Sequence, residues 1–95
     1  MNPIRVYTTR ICPYCVMAKR LLSQRGLSYE EVPVDGNDAL RIEMMRRTGR
    51  RTVPQIFIGD HHVGGFEDLA EVDRRGGLPA LLDDTPPRSE PEAGS

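Results

Sequence analysis

The sequence predicts an α/β domain, a four-stranded mixed β-sheet flanked by helices on both faces. Three observations carry that prediction. Short apolar runs such as Ile4-Arg5-Val6-Tyr7 and Gln55-Ile56-Phe57-Ile58 have the length and composition of strands. Longer stretches beginning at Pro13 and at Asn37 repeat their apolar residues at helical spacing. A Gly59-Asp60 pair between two strand-like runs marks an antiparallel hairpin. With 95 residues, the chain holds one core and no second one.

The elements follow in order. Ile4 to Tyr7 is the first strand, and Thr8 to Ile11 form the loop that carries Cys12. From Pro13 a helix begins, with Met17, Ala18, Leu21 and Leu22 on one stripe and Gly26 as its stop. Pro13 suits the first helical turn, where a missing N–H loses nothing. Tyr29 to Val34 is a second strand, ended by Asp35-Gly36-Asn37. Residues 3–34 therefore form a βαβ unit, which implies a parallel pair with a right-handed crossover. Asn37 or Asp38 caps a second helix that runs through Thr48, with Leu40, Met44 and Met45 apolar and Gly49 ending it. Gln55 to Ile58 is the third strand and His61-His62-Val63 the fourth. Gly64-Gly65 opens a third helix, about Phe66 to Arg75, and Leu78 to Leu82 add a short last one. Beyond it, Pro86, Pro87 and Pro91 with no large apolar residue predict a disordered tail, dividing the chain into a domain at 1–82 and a tail at 83–95. This order of elements is the thioredoxin-like architecture.

Composition excludes several function classes. No apolar run approaches the roughly 18 residues of a membrane span. The segment Met1-Asn2-Pro3-Ile4-Arg5 enters a strand without a basic region and apolar stretch, so no secretory signal is read and a cytoplasmic location is expected. The formal charge of −1 divides into +2 for the first 82 residues and −3 for the rest. So slight a positive excess, with only five aromatic residues, argues against nucleic acid. A monomer is expected.

Cys12 and Cys15 are the only cysteines. Helical positions i and i+3 lie about 5–6 Å apart, which is the Cα separation a disulfide needs. In a reducing compartment such a pair reads as redox-active or metal-binding, not as a static bridge. Cys12, at a helix start, is the nucleophile: the helix dipole favours an anion there and such placement lowers a thiol pKa. Cys15, one turn in, resolves the mixed disulfide. Structural zinc needs about four ligands, and the adjacent His61 and His62 point to opposite faces of a strand, so no metal is expected.

Thr52-Val53-Pro54 has two readings, a plain turn or a cis proline that presents the Val53 backbone to an extended peptide-like ligand. Gly64-Gly65-Phe66-Glu67-Asp68 also has two. It is a tight turn whose acids answer the helix dipole, or the glycines admit a ligand carboxylate to the helix N–H groups while an acid binds the ligand's ammonium. Among Arg41, Arg46, Arg47, Arg50 and Arg51, solvated surface is the default. Arg41 and Arg51 are the choices for binding a carboxylate through the planar guanidinium. Met17, Met44 and Met45 read as core filler, and His61 and His62 as ordinary hairpin residues.

Cys-Pro-Tyr-Cys after a strand, Thr-Val-Pro-Gln-Ile-Phe-Ile, and Gly-Gly-Phe-Glu-Asp-Leu, in this order and spacing, resemble the dithiol glutaredoxins, in particular the bacterial glutaredoxin 3 type. The similarity covers about residues 3–82. The resemblance implies a glutathione-dependent thiol–disulfide oxidoreductase, with glutathione as cosubstrate and disulfide-containing or glutathionylated proteins as partners. It places glutathione along Thr52, Val53 and Pro54, its γ-glutamyl end at Gly65, Phe66, Glu67 and Asp68, Tyr14 beside the sulfur, and Gln55 and Arg41 near the glycine carboxylate. Two positions depart from the pattern. Thr9, followed by Arg10, stands where the family often has Lys, and Phe66 where many members have a smaller residue. Two rivals are a redoxin recycled by thioredoxin reductase and a carrier of an iron–sulfur cluster. The glutathione-site motifs speak against the first, and Pro13 with Cys15 against the second.

Overall fold

A computed structural model describes residues 1–83, so the predicted tail lies outside the described residues except for Asp83. The elements are β1 (Ile4–Thr8), α1 (Pro13–Gln24), β2 (Glu30–Pro33), α2 (Asp38–Thr48), β3 (Gln55–Ile58), β4 (His61–Gly64), α3 (Phe66–Arg74) and α4 (Leu78–Leu82). The sheet order is β2-β1-β3-β4. β1 pairs parallel with β2 and antiparallel with β3, and β3 pairs antiparallel with β4. The mixed four-stranded sheet is the one the sequence predicts.

Strand alternation divides the core into two layers. Ile4 and Val6 of β1 with Ile56 and Ile58 of β3 pack against Ala18 and Leu22 of α1, Leu69 of α3 and Leu78 of α4. On the other face, Tyr7 and Phe57 meet Met44 of α2 and Val34. All four residues of β3 are buried because helices cover both faces of this central strand. Each fully buried Ile or Leu contributes roughly 1.5–3 kcal/mol, so these layers hold the helices more firmly than their propensities do.

The helix ends match their sequence signals. Asn37, not Asp38, caps α2: its Oδ1 accepts from the Leu40 N–H at 3.1 Å. Gly49 then closes the helix at φ +69°.

Pairing sets where the loops meet. Tyr7 stands opposite Gln55, so the end of β1 lies beside the start of β3. Gly64, the end of β4, stands opposite Ile56. The loop before α1, the loop before β3 and the start of α3 therefore converge at one end of the sheet. At the other end, the Asn2 N–H donates to the Leu82 carbonyl at 2.8 Å and the Asn2 side chain to that of Leu81 at 3.0 Å.

Candidate active site

Cys12 is the residue that caps α1. Its backbone is extended (φ −152°, ψ 105°), and its sulfur accepts the Cys15 N–H at 3.3 Å. Pro13 at the first helical position leaves no competing N–H there. The Cys12 thiol in turn donates to the Val53 carbonyl at 3.7 Å, which ties the nucleophile loop to the loop before β3. Cys12 is half-buried, whereas Cys15 is only 1 % exposed, and both are free thiols.

Burial, followed by its hydrogen bond with Cys12, pushes the Cys15 thiol up to about 12. Cys15 is thus held as a neutral thiol. This has a pH consequence for the reduced protein. The unfolded chain loses the Cys15 proton near the ordinary value of 9.0 while the folded chain keeps it. The neutral thiol's contribution is therefore full below that value and is lost as pH rises toward about 12. Between pH 8 and pH 10.5, the reduced wild type should lose more thermal stability than Cys15→Ser, and melting curves of both proteins check this.

Beside the dithiol lies a cleft of about 390 Å³, within the usual range of small-ligand sites. One wall is Thr52, Val53 and Pro54, with the Val53–Pro54 peptide cis. Among the described residues, no group pairs with the Val53 N–H, so the backbone there presents a free donor to the cleft. The opposite wall is Gly65, Phe66, Glu67 and Asp68 at the start of α3. Tyr14 closes the side nearest Cys12, its ring 6.4 Å from that of Phe66.

Asp68 organises the far wall. Its Oδ2 accepts the Gly65 N–H at 2.9 Å and a guanidinium N–H of Arg50 at 3.2 Å. The Gly65 hydrogen bond first, and Arg50 next, hold its carboxyl below the usual range, so it is an anion at neutral pH. The pair of glycines forms the tight turn that is one of its two expected readings. Gly64, at φ +120°, leaves room for the Asp68 carboxylate itself, which a side chain at position 64 would strike. The Gly65 N–H is spent on that same carboxylate, leaving the Phe66, Glu67 and Asp68 amides as the open first-turn donors among the described residues. Gly64→Ala combines this collision with a backbone conformation unfavourable to alanine. A fall in Tm of about 4–8 °C or more is expected for a domain of this size, readable by calorimetry.

Eight of the expected ligand-binding residues thus come together at the cleft: Tyr14, Thr52 to Pro54, and Gly65 to Asp68. Arg41 and Gln55 do not line it. Gln55 is fully buried: its Nε2 donates to the Thr52 carbonyl and hydroxyl, and its Oε1 faces His62. Arg41 lies on α2, and Arg51 lies outside the lining as well. The arginine at the cleft is Arg50, which sequence reasoning passed over. It follows the end of α2, where helical spacing no longer assigns a face, and its N–H is turned back onto the Thr48 hydroxyl at 2.9 Å. Arg10 is directed elsewhere, with its guanidinium 3.6 Å from the Asp35 carboxylate. A signal for the inward Gln55 does exist in the sequence. A polar residue in an otherwise apolar central strand has to find buried partners.

The glutaredoxin family model matches residues 4–63. Glutaredoxin 3 of Escherichia coli K12 is 55% identical over 82 residues, which is 86% of this chain and 99% of that protein. Among solved structures, a glutaredoxin–glutathione complex from buckwheat superposes with a TM-score of 0.78 at 37% identity, covering 85% of this chain and 76% of that one. The solution structure of glutaredoxin from Brucella melitensis gives 0.77 at 45% identity, covering 86% and 89%. Matched over most of its length in sequence and in fold, with its paired cysteines at the start of α1, the chain belongs to the glutaredoxin family.

Proposed function

We propose that the protein is a glutathione-dependent thiol–disulfide oxidoreductase in which Cys12 exchanges disulfides and Cys15 resolves them. The observation that carries this is the cleft beside Cys12, with peptide backbone at one wall and the Asp68 carboxylate at the other. Such a site suits a short peptide with a free α-amino acid end. The cysteine of glutathione lies along Val53, exchanging backbone hydrogen bonds with it, so that its sulfur reaches Cys12. The γ-glutamyl ammonium meets Asp68, and its carboxylate meets the first-turn amides of Phe66 and Glu67. Tyr14 covers the sulfur. Arg50, ion-paired with Asp68, stands at this γ-glutamyl end, while Arg41 and Gln55 lie outside the cleft lining.

The chemistry then follows. The Cys12 thiolate attacks the glutathione sulfur of a glutathionylated protein; the old S–S bond breaks and the protein leaves as a thiolate, which takes up a proton. A second glutathione thiolate attacks the glutathione sulfur now joined to Cys12, giving glutathione disulfide and free Cys12. With a protein disulfide, Cys12 forms a mixed disulfide and Cys15, on losing its proton, attacks the Cys12 sulfur. The reduced protein is released, and two glutathiones reopen the Cys12–Cys15 bond. Glutathione supplies the electrons in both routes, which places the protein in a reducing compartment such as the cytoplasm. No helix among the described residues is long and apolar enough to cross a membrane.

The test is reduction of a glutathione mixed disulfide in a coupled assay, with glutathione and glutathione reductase compared with thioredoxin reductase as the recycler. Turnover with the first system and not the second is expected. The reverse would overturn the reading.

A further inference from the structure

We propose that His62 is a positioning residue for glutathione binding: through the buried side chain of Gln55 it fixes Thr52, and with Thr52 the Val53 backbone beside Cys12. This rests on the functional reading above.

Gln55 is fully buried, so each of its amide atoms needs a protein partner. Its nitrogen lies 3.0 Å from the Thr52 carbonyl oxygen, which can only accept, and 3.3 Å from the Thr52 hydroxyl. The amide orientation is thereby settled, because an oxygen placed there would face another acceptor. Gln55 Oε1 must then accept from the group 2.7 Å away, which is Nε2 of His62. Burial, then the nearby Arg50, hold the imidazole below its usual range, so at neutral pH the ring has one N–H. That hydrogen belongs on Nε2.

The ring is held in place. His62 stands opposite Phe57 in the hairpin, with ring centroids 5.0 Å apart. Phe57 is fixed in turn by the Tyr7 ring edge and by the Arg47 guanidinium, 4.3 Å above its centroid. His62 is therefore a held donor that does not line the cleft itself. Without that donor the buried Gln55 oxygen is unsatisfied. The amide is then anchored only through Thr52, and the link that runs from β4 through Gln55 to Thr52 is lost. The next residue carries the carbonyl that accepts from Cys12 and the free N–H of the cleft wall.

Two variants separate positioning from packing. His62→Phe keeps a ring against Phe57 but has no donor. His62→Gln gives up the ring and supplies an N–H at similar reach. In steady-state assays, His62→Phe should raise the KM for glutathione about tenfold, the usual scale of one buried hydrogen bond. Its kcat, and the single-turnover reaction of its Cys12 with 2-hydroxyethyl disulfide in the absence of glutathione, should stay near wild type, and His62→Gln should restore most of the KM. An unchanged KM in His62→Phe would overturn the proposal. So would equal losses in both reactions, or a His62→Gln variant no better than His62→Phe. Nitrogen-15 NMR of the wild-type imidazole checks the same point without glutathione. A proton on Nε2 supports the proposal, and one on Nδ1 overturns it. A wild type that shows no saturation by glutathione would instead overturn the functional reading.

Discussion

Cys12→Ser is expected to bring both deglutathionylation and protein disulfide reduction down to the uncatalysed rate, whereas Cys15→Ser should remove only the second. The asymmetry follows from what each sulfur touches. The half-buried Cys12 sulfur accepts the Cys15 N–H and lies against the carbonyl of Val53, a residue of the cleft wall. Both exchange steps of the first route pass through a mixed disulfide on Cys12, and a serine hydroxyl cannot form one. Cys15 is buried beneath and is held as a neutral thiol with its pKa near 12. It acts only after a mixed disulfide on Cys12 has brought a leaving group within reach. In the native reduced protein, one equivalent of iodoacetamide at pH 7 should therefore label Cys12 and leave Cys15 free, as read by peptide mass spectrometry. The paired assays are turnover of a glutathionylated peptide and reduction of an intramolecular protein disulfide. An active Cys12→Ser, or a Cys15→Ser inert toward the glutathionylated peptide, would reverse the roles.

Asp68→Ala should weaken the use of glutathione by tenfold or more. A charged hydrogen bond contributes roughly 1.5–3 kcal/mol, and every 1.4 kcal/mol or so is a factor of ten. The substitution also strips Arg50 and the Gly65 amide of their shared partner, so part of its effect falls on the wall of the cleft. Asp68→Asn separates the two contributions. Its amide oxygen still accepts the Gly65 N–H, but the negative charge is gone. Both variants should show a raised KM for glutathione and near-normal reaction of Cys12 with an uncharged disulfide, while Asn retains more of the wild-type melting temperature. If Asn binds glutathione as well as Asp, the ammonium sits elsewhere.

The elements were legible in the sequence because punctuation and period agree. Pro13 and Gly26 bracket α1, Asn37 and Gly49 bracket α2, and the alternation of Ile56 and Ile58 with Phe57 sorts β3 onto two core layers. The dithiol and both walls of the cleft were legible for the same local reasons. Three features were not, since each depends on how distant segments meet. Arg50 faces the cleft because Thr48 folds the chain back after α2. Gly64 leaves the space that the Asp68 carboxylate fills, four residues along. His62, read as an ordinary hairpin residue, acquires a partner only once β3 and β4 are paired and Gln55 is turned inward.

The sulfur cap on α1 links this helix to the electron balance of the dithiol. In the reduced protein the Cys15 N–H points at a sulfur able to carry negative charge. In the Cys12–Cys15 disulfide the same atom is neutral and a much weaker acceptor. An interaction present in one redox state and weakened in the other must, around a closed thermodynamic cycle, favour the state that has it. A helix N-cap contributes about 1 kcal/mol, and for a two-electron couple that is about 20 mV. The cap therefore raises the reduction potential by an amount of that order. The bond that holds the first turn of α1 together also makes the oxidised protein readier to accept electrons from glutathione.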